Sequence, residues 1–457
     1  MSQPHSSSVE PGVSQRAWCL LECVGVWLWG QQVGTLRRLG SHHFHAFEYT
    51  PQWLASGPTL SPLVADEQRW LVVGDRLPWA TYHGLPGFLA DALPDEFGLR
   101  LIDARLEALG ADVERITSLD RLALLGSGAM GALEFRSHLK PQSLSQSSSL
   151  SGPLDVASLV NASRVVSMGV PSDGVASVED MDRLAQVGIS AGGQRAKAVV
   201  AWNPDTGEVR ADQGAGLPAG FSHWLLKLDG VLPMAKDGAL ELGPSLGWGR
   251  VEYAYFLMAR EAGVAISECR LLEEQGRAHF LTRRFDRDGD EKIHQASLCG
   301  LSHLDYRLVA THEYDQLLDA CVRLGLPASD LMEVFRRMAF NVLARNNDDH
   351  TKNFGFLLRP GQGWALAPAY DITYANNPAS KWVSQHLMGV NGKFKDIARS
   401  DMLAVGARAG LDEVEMRRVL EQVASAIHRW PRFAHEAGVM SELRDEISAA
   451  HQGVALT

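Results

Sequence analysis

Four shortages narrow the reading before any motif is considered. The chain of 457 residues has only five cysteines, Cys19, Cys23, Cys269, Cys299 and Cys321, and no C-x-x-C pair. Neither a zinc knuckle nor a disulfide scaffold is built from such a set, so buried free thiols in a reducing cytosol are expected. No run approaches 18 uninterrupted apolar residues, so no membrane span is expected. The first residues, MSQPHSSSVEPGVSQ, are polar and lack the basic and apolar regions of a secretory signal, which predicts a cytoplasmic protein. Positive charge is also short, with 43 Lys and Arg against 54 Asp and Glu, a net charge of −11. A sequence-independent nucleic-acid binder needs the opposite balance to displace counterions. Hydrophobic residues make up 46% and charged residues 21%, which is a globular balance, and the length predicts about three domains.

The pattern along the chain predicts an α+β arrangement, with a smaller β-rich part ahead of a larger helical part. Residues 1–16 read as a tail. Segment 18–36 reads as two short strands around a tight turn, and 44–73 as short strand pieces broken by Pro51, Pro58 and Pro62. From Leu85 the spacing turns helical, with Pro94 separating two helices. Residues 141–153 (PQSLSQSSSLSGP) are Ser-rich and uncharged and form the clearest linker. Residues 155–186 read as helical, 251–263 as an amphipathic helix, and CRLLEE and AHFLTRRFDR as a strand pair. In LMEVFRRMAFNVLARN the residues Leu331, Phe335, Met338 and Val342 make one apolar stripe.

That stripe stops at Asn346-Asn347-Asp348-Asp349-His350-Thr351-Lys352-Asn353, which is followed by two β pieces and then Asp371 in LAPAYDIT. Two carboxylates and an amide oxygen at one loop mouth suit hard Mg²⁺ ions, which take oxygen ligands and keep water or phosphate. In phosphoryl transfer a D-x-x-x-x-N spacing, here Asp348 to Asn353, separates the residue that orients the acceptor hydroxyl from a metal ligand. Asp349 is one residue out of that register. Taken alone, the octapeptide reads as a solvated Asx-rich turn; the later Asp371 after a hairpin tips it toward a site. Lys227 in HWLLKLDG and Glu252 on the following helix would give a phosphate-positioning pair. Read singly, they are an exposed edge-strand charge and a solvated first-turn acid. Ser190-Ala191-Gly192-Gly193-Gln194-Arg195-Ala196-Lys197 is a Gly-containing loop entering a strand. It is not a Walker loop, although its amides and Arg195 or Lys197 could approach phosphate. The His42, His43 and His45 cluster lacks a partner at metal-ligand spacing, and the twelve tryptophans are not interleaved with Lys or Arg as stacking platforms would be.

Several of these segments, in order, resemble the HipA family of serine/threonine kinases, the toxin halves of bacterial toxin–antitoxin pairs. FNVLARNNDDHTKNFGFLL is similar to the family's catalytic segment with its D-x-H-x-x-N core, and LAPAYDIT to the metal-binding segment. SAGGQRAK is similar to the S-x-x-G-x-x-x-K loop, and FLTRRFDR with IHQ to the R-F-D-R…H-Q stretch. LPGFLADALPDEFG and GAMGALEF resemble the N-terminal region, and the catalytic loop most resembles the longer, YjjJ-like members.

The resemblance implies a HipA-like kinase fold: an N-terminal β-rich subdomain (17–140), a small mixed lobe (154–300) and a larger helical lobe (301–457). It implies that Asp348 is the catalytic Asp and that His350 shapes its loop. Asn353 and Asp371 would be the Mg²⁺ ligands, and Lys227 the ATP-phosphate lysine with Glu252 as its partner. Ser190, Gly192, Gly193 and Lys197 would belong to the nucleotide loop, with Ser190 autophosphorylated. The implied substrates include aminoacyl-tRNA synthetases or other translation factors. The implied partner is a small helix-turn-helix antitoxin, with DNA reached only through it. Two other readings stand beside this one: a nucleotide-binding pseudokinase acting as a transcriptional co-regulator, and a small-molecule phosphotransferase.

Overall fold

Alternation of apolar and polar residues in CVGVWL and QQVGTLRR makes the first hairpin, β1 (Cys23–Leu28) and β2 (Gln31–Arg38). With β3 (His45–Tyr49), β4 (Leu71–Val73) and β5 (Leu133–Arg136) it forms an antiparallel sheet of order β4-β3-β2-β1-β5. The strand piece expected after Tyr49 is instead a helix, α1 (Pro51–Ser56). Pro51 suits its first turn, and the Thr50 side chain caps it. Helices α2 (Trp79–Tyr82), α3 (Gly87–Ala90), α4 (Glu96–Ala108) and α5 (Ser118–Leu125) complete this subdomain, with Pro94 separating α3 from α4. Val26, Leu36, Phe47, Phe88, Ile102 and Phe135 are in its core. The structure, a computed structural model, describes residues 20–40, 44–64, 70–137, 152–168, 178–188, 195–212, 214, 216–231 and 247–453. The expected tail and nearly all of the Ser-rich stretch lie outside these, and Pro153 already bridges to Arg210.

The second sheet has the order β7-β6-β8-β10-β9, from β6 (Lys197–Trp202), β7 (Val209–Ala211), β8 (Ser222–Lys227), β9 (Cys269–Glu274) and β10 (Arg277–Arg283). Helices α6 (Val156–Met168) and α7 (Val178–Gly188) cover one face, where Val160, Leu184, Val200, Trp224 and Leu281 pack. Helix α8 (Trp248–Glu261) lies against β9 and β10. It comes that close through Gly249, where a Cβ would stand 2.0 Å from the Ala278 carbonyl oxygen.

Short strands β11 (Arg287–Asp288) and β12 (Glu291–Lys292) lead into a three-stranded sheet. It consists of β13 (His294–Ser297), β15 (Gly355–Leu358) and β16 (Trp364–Leu366), while β14 (His312–Glu313) pairs with β17 (Met388–Gly389). The rest is helical: α9 (Leu298–Ser302), α10 (Tyr314–Arg323), α11 (Ala328–Leu343), α12 (Arg399–Arg408), α13 (Glu413–His428), α14 (Trp430–Glu436) and α15 (Ser441–Gln452). Leu331, Phe335, Met338 and Val342 of α11 all point into this core, as their spacing predicts. Burial pushes the Cys299 thiol up to about 11 and those of Cys269 and Cys321 up to about 12, so they stay protonated. Among the described residues no helix is long and apolar enough to cross a membrane.

The first subdomain is fastened to the second sheet and to the large lobe. Asp286 is buried; it accepts from Arg284 Nε at 2.9 Å and Nη2 at 2.7 Å, from Arg287 Nη1 at 2.8 Å, and from the Gly131 amide at 2.7 Å. Arg287 Nη1 also donates to the Gly131 carbonyl at 2.9 Å. Gly131 has φ +76°, and a Cβ there would stand 2.9 Å from the Gln295 amide, so only glycine fits this junction. Elsewhere α4 meets α7 through Arg105 and Asp182 at 2.6 Å, Asp91 accepts from the Ser297 amide at 2.6 Å, and Arg323 Nη2 of the large lobe donates to the Leu63 carbonyl at 2.8 Å.

Candidate active site

The site lies where the second sheet faces the loop after α11. Lys227 ends β8, which is the middle strand of its sheet, so the edge-strand alternative is corrected. Its side chain is nearly buried. Lys197 on β6 is its cross-strand partner, so both point to the same face. Glu252 is buried in the second turn of α8. The helix begins at Trp248, ahead of the expected start, so the first-turn alternative for Glu252 is corrected too. Lys227 Nζ is paired with both Glu252 Oε1 and Asp371 Oδ1. Burial alone would lower the lysine's pKa, but the two carboxylates outweigh it and hold the ammonium charged. Burial alone would raise Asp371, but Lys227 and then Lys197 hold its carboxyl well below the usual range.

Asp371 has φ +52°, a left-handed conformation that Asp tolerates better than most residues, at a cost of roughly 1–2 kcal/mol. The loop from Arg345 to Asn353 is held mostly by its own polar groups. Asn347 donates from its amide to Ala375 at 3.1 Å and from Nδ2 to the Val383 carbonyl at 3.0 Å. Asn346 Nδ2 donates to Asn341 Oδ1 at 2.9 Å. Asn353 Nδ2 donates to the Asp348 carbonyl at 2.8 Å, which leaves its Oδ1 for a cation. The Asp348 side chain keeps 48% of its surface open, and His350 Nε2 stands 3.9 Å from its Oδ1. Burial of the cleft raises the Asp348 pKa, His350 opposes this, and Asp371 adds to it. His350 precedes the turn Thr351–Asn353, and its ring lies 5.2 Å from that of Tyr306.

Asp349 proves to be an anchor. Its carboxylate is buried and accepts from Tyr314 Oη at 2.8 Å, His386 Nδ1 at 3.1 Å, and the amides of Leu387 and Met388 at 2.9 and 3.2 Å. Its neighbour Asp348 stays open to the cleft. Ser190, Gly192 and Gly193 lie outside the described residues. Lys197, Lys227, Glu252, Asp348, His350, Asn353 and Asp371 are brought to one cleft.

As a metal site, Asn353 Oδ1 and Asp371 offer hard oxygen donors. Among the described residues no three His, Cys, Asp or Glu side chains gather as a closed metal site. A cation held here would therefore take its remaining ligands from water and phosphate, which fits Mg²⁺. Of the groups around this cleft, motif reading passed over Asp95, whose charge acts on Lys197, Lys352 and Asp371. No local pattern marks it, because its neighbours come from remote segments.

This two-lobed α+β fold, with a buried Lys–Glu pair facing an Asp- and Asn-bearing loop, defines a kinase-like class. The model of the HipA-like C-terminal domain matches residues 189–430, and that of the HipA N-terminal domain matches 24–136. The chain belongs to the HipA family. Two curated relatives from Sinorhizobium fredii carry kinase names. Y4mE is 25% identical over 234 residues, 47% of this chain and 49% of that protein. Y4dM is 25% identical over 137 residues, 26% of this chain and 32% of that protein. The chain thus spans half or less of these relatives' length. A chain of the Shewanella oneidensis HipA, HipB and operator DNA complex superposes with a TM-score of 0.63 at 17% identity, covering 95% of this chain and 96% of that one, which shows the shared fold.

Proposed function

We propose that the chain is an ATP- and Mg²⁺-dependent serine/threonine protein kinase that acts as a growth-inhibiting toxin. The observation that carries this reading is Lys227, tied at once to Glu252 and Asp371, opposite a loop presenting Asp348 and Asn353. Lys227 and Lys197 supply positive charge for the phosphates, and Glu252 holds Lys227 in place. Asn353 and Asp371 would hold Mg²⁺, which would supply positive charge to the phosphates. Asp348 orients the acceptor hydroxyl and takes its proton as the hydroxyl oxygen bonds to the γ-phosphorus and the β–γ bridge breaks, releasing ADP. The chain's polar groups are those of an active kinase, which favours this over the pseudokinase reading.

The finer parts of the reading are also ours: Ser190 as an autophosphorylated residue, a translation factor such as an aminoacyl-tRNA synthetase as target, and membership of the YjjJ-like subgroup. So are the division at 141–153 and near 300, and a cytoplasmic location. A small helix-turn-helix antitoxin as partner is supported by the HipA–HipB–DNA neighbour, with DNA contacted through that partner. The experiment is labelled ATP with Mg²⁺ and purified full-length chain in a lysate, beside Asp348→Ala and Asp371→Ala. Label on protein with wild type and none with either variant is expected. A folded, nucleotide-bound wild type that labels nothing refutes the reading, and label on a metabolite panel instead would make it a small-molecule phosphotransferase.

A further inference from the structure

Two residues ahead of β6 stands Arg195, a cation not yet given a part in the transfer. The Leu228 amide donates to the Ala196 carbonyl at 3.0 Å, so the pairing of β6 with β8 runs on past Lys197 and Lys227 and sets Arg195 next to them. Its guanidinium lies 5.6 Å from the ring centre of Trp248, the first residue of α8. Trp248 and Glu252 are four residues apart, so they share one face of that helix on successive turns. Helix α8 thus seats two cations in a row, Lys227 on Glu252 and Arg195 on Trp248.

The two seats differ. Lys227 is matched by two carboxylates, whereas Arg195 has a ring and, among the described residues, no ion pair. A ring face holds a flat guanidinium in place and leaves the N–H donors at its edge available. Across the cleft, burial raises the Asp348 pKa, and the cations that oppose it are His350 and then Arg195. His350 belongs to Asp348's own loop, so Arg195 is the charge that reaches this carboxylate from the opposite side. An acceptor hydroxyl on Asp348 and a nucleotide on Lys227 place the migrating phosphoryl group between them, and Arg195 has contact with both sides of that gap. Negative charge spreads over the equatorial oxygens as the group moves, and a planar fork of donors fits two of them.

We propose that Arg195 is a further catalytic residue, whose guanidinium donates to the non-bridging oxygens of the phosphoryl group in transfer and holds them more strongly than it holds bound ATP. It stays protonated throughout and neither gives nor takes a proton. The proposal deepens the kinase reading above and rests on it. Lys227 and Lys197 serve the resting phosphates, so Arg195 should govern the rate and not the nucleotide affinity.

The test is nucleotide binding with and without a mimic of the moving group, so the two readings can fail separately. A fluorescent ADP would be titrated onto the full-length chain with Mg²⁺ and a pool of Ser-centred peptides, first alone and then with aluminium fluoride, which stands in for a flat phosphoryl group. Wild type should bind ADP about 100-fold more tightly with fluoride, the scale that one transition-state donor supplies. Arg195→Ala should keep its affinity for ADP alone within about twofold and lose most of the fluoride gain. Arg195→Lys should recover only part of it, since an ammonium lacks the fork. Millimolar guanidinium ion should restore the gain to Arg195→Ala and leave wild type unchanged, a rescue that misfolding does not produce. No fluoride gain in wild type, an undiminished gain in Arg195→Ala, or an equal loss of ADP affinity with and without fluoride overturns the proposal. A gain that depends on Arg195 in a chain that labels no protein upholds the phosphoryl contact and sinks the protein-kinase reading instead.

Discussion

Replacing Asp286 by Ala removes the acceptor shared by Arg284, Arg287 and the Gly131 amide. Both guanidiniums are nearly buried, so the variant strands charge inside the protein. Arg284 keeps only Asp212, at 3.2 Å, which it shares with His223. Removing one partner of a buried pair typically costs about 3–5 kcal/mol, because the charge left behind is uncompensated. For a unit of roughly 200 residues that is about 7–12 °C in melting temperature.

The lost contact also joins the first subdomain to the second sheet. Urea unfolding followed by tryptophan fluorescence should therefore change from a shared transition to two resolved ones. The pH dependence gives a second measure. Burial raises the Asp286 pKa, but Arg284 and Arg287 overcome it and hold the carboxyl well below the usual range. A depressed acid stabilises fully above its unfolded value of ~3.9 and loses that contribution only as pH falls toward the lower folded value. The gap between wild type and variant should thus be constant from neutral pH to about 4 and shrink below it. A loss under about 1 kcal/mol with one unchanged transition, or a gap that narrows already between pH 7 and 5, refutes the argument.

Asp349→Asn should cost about 2–4 kcal/mol in denaturant titration, since its four donors include a histidine and two backbone amides; labelling should fall while nucleotide affinity is kept. Glu252→Gln leaves Lys227 to Asp371 alone, and a fluorescent ATP analogue should bind about tenfold more weakly. Asp95 is raised to about 6, so its folded carboxylate costs stability above that pH. Asp95→Asn should stabilise by about 1–3 kcal/mol at pH 7.5, with the gain fading as pH falls through 6 and gone near pH 4, as read by thermal melts at several pH values.

Sequence reading reaches patterns written at short range. The Asp348–Asn353 spacing, the helix that ends before it and the hairpin leading to Asp371 are each local patterns, and all three stand in the structure. Lys227 was found too, but its place in the middle of a sheet was not, since alternation says which face a residue takes and not which strands flank its own. The part of Asp349 was out of reach because its partners come from 314 and 386–388, brought together by the β14–β17 pairing. Asp95 was invisible for the same reason. Its setting is assembled from 81–99, 306–307 and 352, and only the folded chain shows that one carboxylate oxygen is left unanswered.

The first subdomain grips the second sheet through Gly131 and α7, and the large lobe through Leu63, which accepts from Arg323. Mechanically it is a strut that ties together two jaws, the second sheet and the large lobe. Moving the jaws apart as rigid bodies would break one attachment or the other, so the strut opposes their relative motion. Whatever grips the strut from outside would then stiffen or loosen the jaws without touching the cleft.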